Sequence, residues 1–194
     1  MDRQEKSVKF IANMLNLHGK VLLVSENGLG SMKCVERLQT LLSPKNKHAL
    51  FGREEEIDEA GVSKTDMYSR FLWFPYTHPL NRDYWTMLGL ATSFHYISMC
   101  EPKISLRRDL WKVWTEKQLG GFVTMTKPSV KEAIKVVQND LAVLGRGDLR
   151  NLAVLFDLIV AVREDGTIHD LYRLEYRQGE LMTVWQDIEK GKVS

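Results

Sequence analysis

The sequence predicts an α+β fold. A helix-rich part covers residues 1–150 and packs on a C-terminal three-stranded antiparallel meander at residues 153–187, with one or two extra short strands. Three observations carry this. Capped stretches with helical apolar spacing fill the first two thirds of the chain. The period changes to alternation after residue 153. Two tight-turn signals, Asp165-Gly166 and Gln178-Gly179, punctuate the C-terminal third.

Taken in order, residues 3–17 form the first helix, with Val8, Ile11, Met14 and Leu15 at helical spacing and Gly19 at its end. Lys20–Ser25 is a short apolar run suited to a buried strand. A turn, Glu26–Ser31, leads into a helix from Met32 to Leu42, ended by Pro44. Residues 44–61 read as a surface excursion. Ser63 with Asp66 opens a helix carrying Met67, Phe71 and Phe74, and Asn81 caps a longer one from Arg82 to Met99 that is apolar nearly all round. Ser105 opens a helix with Leu106, Leu110, Val113 and Trp114 inward. Phe122–Thr126 is a strand, and Ser129-Val-Lys-Glu132 is a capping box for a helix closed by Gly145.

In the meander, two-residue turns set the pairing: Ile159 with Tyr172, Val160 with Leu171, Tyr176 with Leu181, Tyr172 with Trp185 and Arg177 with Glu180. One face then offers Ile159, Tyr172, Leu174, Tyr176, Leu181 and Trp185 to the helices. The other carries Phe156, Leu158, Val160, Val162, Leu171, Met182 and Val184, far too apolar for a solvated face. Either helices cover both faces, or Val160, Val162 and Val184 meet another copy of the chain; the second alternative predicts a homo-oligomer.

Composition narrows the function. With 27 Lys+Arg against 25 Asp+Glu the net charge is +2, which excludes strongly basic or acidic tails. A hydrophobic fraction of 44% is that of a globular domain, and 194 residues with no linker-like stretch read as a single domain, 1–194. Two cysteines, Cys34 and Cys100, make no disulfide framework and point to the cytoplasm or another reducing compartment. There is no apolar run of the ~18–20 residues a membrane span needs, and the charged start MDRQEKSVKF is unlike a signal peptide.

Chemical motifs are sparse. No two of His18, His48, His78, His95 and His169 have the i, i+4 spacing of a helical zinc pair, no C-x-x-C is present, and no metal or cofactor is expected. No nucleophile elbow and no catalytic constellation emerge. An Asp with Glu-x-Lys on adjacent strands would hold Mg²⁺; Asp157 or Asp170 with Glu175 are the candidates, but Glu175 is followed by Arg177, which stays protonated. The turn Asn27, Gly28, Gly30, Ser31, with Lys33 beyond it, joins a strand to a helix and could hold phosphate on backbone N–H groups. It lacks the Lys-Ser/Thr of a P-loop and the third glycine of the dinucleotide pattern.

Basic residues are the stronger signal. Residues 103–150 hold ten Lys/Arg against five Asp/Glu. Arg107, Arg108 and Lys112, with Trp111 read as exposed beside them, fall on one helix; Lys127, Lys131 and Lys135 line the next, and Arg146 and Arg150 come after it. Cations with a stacking aromatic suit nucleic acid. The leading expectation is a non-enzymatic, self-associating binding or structural module that contacts nucleic acid. The alternatives are a small enzyme handling a phosphorylated ligand at residues 27–33 and a protein-binding coat or adaptor subunit.

Overall fold

The computed structural model describes residues 2–43, 45–53, 55, 71–76, 93–117, 119–178 and 180–185. Its strands are β1 (Lys20–Ser25), β2 (His48–Gly52), β3 (Phe71–Pro75), β4 (Tyr96–Met99), β5 (Gly121–Thr126), β6 (Leu158–Val162), β7 (Ile168–Arg177) and β8 (Glu180–Trp185). The helices among the described residues are α1 (Arg3–Asn16), α2 (Gly28–Gln39), α3 (Ile104–Glu116), α4 (Val130–Val143) and α5 (Leu149–Leu155). All eight strands form one sheet in the order β3-β2-β4-β5-β1-β6-β7-β8. From β3 to β6 every neighbouring pair is parallel, and β7 and β8 add an antiparallel hairpin at one edge.

This corrects the expected fold class. The chain is α/β, with a mostly parallel sheet running through its middle, not a helical part closed by a separate meander. The three C-terminal strands extend that sheet. Their pairing falls where the turns put it, at Ile159–Tyr172, Val160–Leu171, Tyr176–Leu181, Tyr172–Trp185 and Arg177–Glu180. The first turn is longer than two residues. The amide of Arg163 donates to the Thr167 carbonyl, and Gly166 takes φ +79°, the left-handed residue of a three-residue hairpin loop. A register shift after Ala161 pairs Val162 with Ile168 and leaves His169 as the extra residue.

Three further expectations change. Phe71–Pro75 is strand β3 rather than the end of a helix, and Tyr96–Met99 is strand β4 rather than the last turn of one. The parts of those two helices at residues 63–70 and 82–92 lie outside the described residues. Val154 and Leu155 belong to α5, which Asp148 caps through the Arg150 amide at 2.9 Å, so β6 starts only at Leu158.

Helices cover both faces. α1 and α2 bury Val8, Ile11, Leu15, Met32, Val35 and Leu38 against Val21, Leu23, Leu158, Val160, Val162 and Leu171. On the opposite face Leu110, Trp111, Trp114, Val137, Leu141 and Leu152 pack on Leu22, Val24, Val123, Met125, Ile159 and Leu174. β1 is therefore shielded above and below, and Val21, Leu22 and Leu23 are wholly buried, as a continuous apolar run in a parallel sheet requires. Val160 and Val162, expected to meet a second copy, are buried under α1 and α2. Those two cannot serve as an open interface; for Val184 only its backbone pairing with Arg173 is described.

Candidate functional site

β1 and β5 lie side by side in parallel, with Ser25 paired to Thr126 at their ends. The helix after β1, α2, crosses to one face of the sheet, and the helix after β5, α4, to the other. Where two neighbouring strands send their connections apart, a crevice opens beyond their carboxyl ends, and ligands of open α/β sheets bind there. A cleft of about 870 Å³ occupies this place. Val24, Ser25 and Glu26 form its floor, and Lys127 to Lys131 with Ile134 form one wall. Arg163, Glu164, His169, Asp170 and Tyr172, from the hairpin of β6 and β7, form the other.

That second wall depends on the bulge. Successive side chains of a strand point to opposite faces, yet His169 and Asp170 both line the cleft, because the extra residue re-aims the chain. The wall's polar groups are linked. Arg163 Nη2 lies 3.3 Å from His169 Nδ1, His169 Nε2 lies 3.5 Å from Asp170 Oδ2, and the Tyr172 hydroxyl donates to the same oxygen at 3.1 Å. Burial, and next the bond to the Asp170 carboxylate, push the Tyr172 phenol above its ordinary value. Across the cleft, Ser129 caps α4 by accepting from the Glu132 amide at 3.2 Å, the capping box expected there.

Of the glycine turn Glu26 lines the cleft, whereas Asn27, Gly28, Gly30 and Ser31, with Lys33 beyond, do not, and the turn's side chains bond among themselves and to the hairpin. Only Glu26 and Asn27 separate β1 from α2. Asn27 Oδ1 accepts from the Gly30 amide at 3.1 Å, and its Nδ2 donates to Glu164 at 2.6 Å. Ser31 Oγ lies 2.7 Å from Ser25 Oγ. A Cβ on Gly30 would stand 2.2 Å from the Arg163 carbonyl oxygen, so this glycine lets the hairpin approach α2. One on Gly166 would meet the Lys33 side chain at 2.5 Å. Gly28 has room, its nearest atom being Thr126 Oγ1 at 3.6 Å.

The ten-cation stretch does not form one surface. Arg107 is buried and donates to Asp140 Oδ2 at 2.5 Å; Arg108 reaches the other carboxylate oxygen at 3.2 Å. Trp111 is wholly buried, edge-on to Phe156, which corrects the expectation of an exposed ring available for stacking. Lys112 lies 3.2 Å from Asp109, Arg146 lies 3.6 Å from Glu116, and Arg150 sits 5.8 Å over the Tyr176 ring. Lys127 and Lys131 reach the cleft. Lys135 is exposed on α4, one turn beyond Lys131.

Arg163, His169 and Tyr172 were not expected at a site, and Asp170 was expected only as a carboxylate of a nuclease-like set. Their signal was the Asp165-Gly166 turn, which identifies the hairpin but not the bulge that gathers them. Of the nuclease candidates, Asp157 is at the opposite, amino end of β1, accepting from the Lys20 amide at 2.7 Å, and Glu175 pairs with Arg177. Among the described residues no group of three or more metal-ligating side chains occurs, and no helix is long and apolar enough to cross a membrane.

No protein-family model matches the chain, and no curated protein sequence does either. Among solved structures, the VirB11 ATPase from the Brucella suis type IV secretion system, in complex with sulphate, is similar with a TM-score of 0.63 at 12% identity. The match covers 92% of this chain and 59% of that one, so the chain spans well under two thirds of its length. At such identity the likeness establishes the fold: a mixed, mostly parallel α/β sheet resembling that of the VirB11 ATPase.

Proposed function

We propose that the chain binds a small phosphate-bearing ligand in the cleft beyond β1, β5 and β6. The observation that supports this most is the cleft itself, set where the connections of β1 and β5 part and lined by Lys127, Lys131 and Arg163. Cations around the start of α4 favour an anion, and the amino end of a helix adds its dipole. Apolar walls from Val24, Val130 and Ile134 suit the uncharged body of a nucleotide-like molecule. The structurally similar VirB11 ATPase carries sulphate, an anion of phosphate shape. Hydrolysis is not part of the reading, because the turn at residues 26–31 contains no lysine.

Calorimetric titration with ADP tests it. Binding is expected, and Lys131→Glu together with Arg163→Glu should weaken it by about tenfold or more, since each variant replaces attraction by repulsion. No heat at about 1 mM ADP, a weak-binding limit of about 4 kcal/mol, would sink the reading.

Nucleic-acid contact is the second reading, supported by Lys131 and Lys135 one turn apart on α4, with Lys127, expected on that helix, lying instead in the connection just before its Ser129 cap. Lys135 does not line the cleft. Lys135→Glu therefore separates the two: it should leave ADP unaffected and weaken a generic RNA or DNA, with a salt slope flatter by about one unit.

A further inference from the structure

The hairpin wall of the cleft carries a histidine whose proton is placed by its neighbours. Arg163 Nη2 lies 3.3 Å from His169 Nδ1. A guanidinium stays charged and only donates, so Nδ1 offers its lone pair and the ring proton sits on Nε2. Nε2 faces Asp170 Oδ2 at 3.5 Å, and that oxygen also accepts from the Tyr172 hydroxyl. In this arrangement His169 is a neutral ring held between a cation and an anion. All four residues line the cleft, and 56% of the His169 side chain is exposed, within reach of a ligand.

Arg163 has a second claim on it. Of the residues lining this wall it alone carries a fixed positive charge, and its forked donors suit phosphate. A guanidinium that turns to a phosphate leaves Nδ1, and the anion neutralises its charge. The occupied lone pair and the repelling cation, the two obstacles to a second ring proton, are then removed together. The hairpin groups left around the ring, Glu164 and Asp170, are carboxylates that favour an imidazolium. Elsewhere in the cleft stand Glu26 on the floor and Lys127 and Lys131 on the opposite wall. α1 meets the hairpin with the uncharged Gln4 at Ile168, and α2 with Lys33 and Arg37 at Gly166.

We propose that His169 is a proton-gated phosphate ligand, a role that rests on the cleft reading above: as the phosphate takes Arg163, a proton from solvent adds to Nδ1, which donates to the phosphate while Nε2 keeps Asp170. One N–H bond forms and no bond of the ligand breaks. Two positive charges on one wall match the dianion of a terminal phosphomonoester better than the single charge of a diester. The complex holds one proton more than its parts, so ADP binding must strengthen as pH falls. Calorimetric titrations at pH 8 and pH 7 stay above the second phosphate ionisation, at about pH 6. Between them the wild-type affinity should rise about two- to tenfold, tenfold being the limit for one proton. His169→Gln should bind ADP equally at both, no tighter than the wild type at pH 8. Nitrogen NMR of the imidazoles at pH 7, with His169 assigned by the signal that His169→Gln loses, should show a neutral ring protonated at Nε2 before ADP and both nitrogens protonated at saturation. The His169 proposal fails, with the cleft reading intact, if wild-type affinity is the same at both pH values, if His169→Gln keeps the pH dependence, or if the ring stays neutral at saturation. Absence of ADP binding at both pH values overturns both.

Discussion

α3 and α4 are consecutive helices that both carry cations, and they dispose of them in opposite ways. α3 lies against the sheet with α4 and α5 beside it, so Leu106, Arg107, Leu110, Trp111, Val113 and Trp114 are all buried. Its arginines turn inward onto Asp140, a residue of α4. α4 buries only Ala133, Val137, Asp140 and Leu141, a narrower stripe that leaves Lys131 and Lys135 in water. A count of cations along the chain treats the two helices alike. The width of the buried face decides which charges hold the fold and which meet a ligand.

The largest effect that could break this contrast comes from Asp140→Ala. It strands Arg107 in the interior without its carboxylate, and loss of one member of a buried pair costs about 3–5 kcal/mol; chemical denaturation reads this directly. A loss below about 1 kcal/mol would mean that Arg107 escapes to solvent and that α3 is as open as α4. Next comes Gly30→Val, on the other side of β1. Its added carbons collide with the Arg163 backbone, and overpacking of this kind costs about 1–3 kcal/mol. Stability should fall whether or not ADP is present.

Smaller still is Trp111→Phe. The indole N–H has no hydrogen-bond partner among the described residues, so only volume is lost and the cost should stay under about 1.5 kcal/mol. A stacked, exposed indole would instead have left stability untouched and cut single-strand binding. Lys131→Glu should change stability by no more than about 0.5 kcal/mol, the usual range for surface positions, while weakening ADP. Smallest is the response of Cys34 to a thiol reagent. The residue is wholly buried in α2 and burial pushes its thiol up to about 12; since only the thiolate reacts, folded protein should show no alkylation there at neutral pH.

How much of the molecule is legible in the sequence depends on how local each signal is. The β7–β8 register was legible from one tight turn and a period of two, whereas the expected β6–β7 pairs occur because the bulge at His169 offsets a first loop one residue longer than read. α4 was legible from Ser129 and Glu132. β3 and β4 were not. Phe71 and Phe74 stand three apart, a helical interval, and Tyr96–Met99, Tyr-Ile-Ser-Met, is too short for its period to separate strand from helix. Both are strands because β2 lies between them, and no local pattern carries that. The cleft shared this fate. Asn27, Gly28 and Gly30 drew attention as a strand-to-helix turn, but none of the three lines it. His169 and Asp170 reach it only through a one-residue register shift.

The position of β1 has a consequence for how the protein is made. The strand leaves the ribosome early, but its neighbours are residues 121–126 on one side and 158–162 on the other. Until those strands are made both its edges lack their native partners, although α1 and α2 can already cover Val21 and Leu23; long-range parallel pairing of this kind forms slowly and exposes a chain to aggregation. Truncations that stop before residue 158 should therefore leave one edge of β1 open and associate with chaperones.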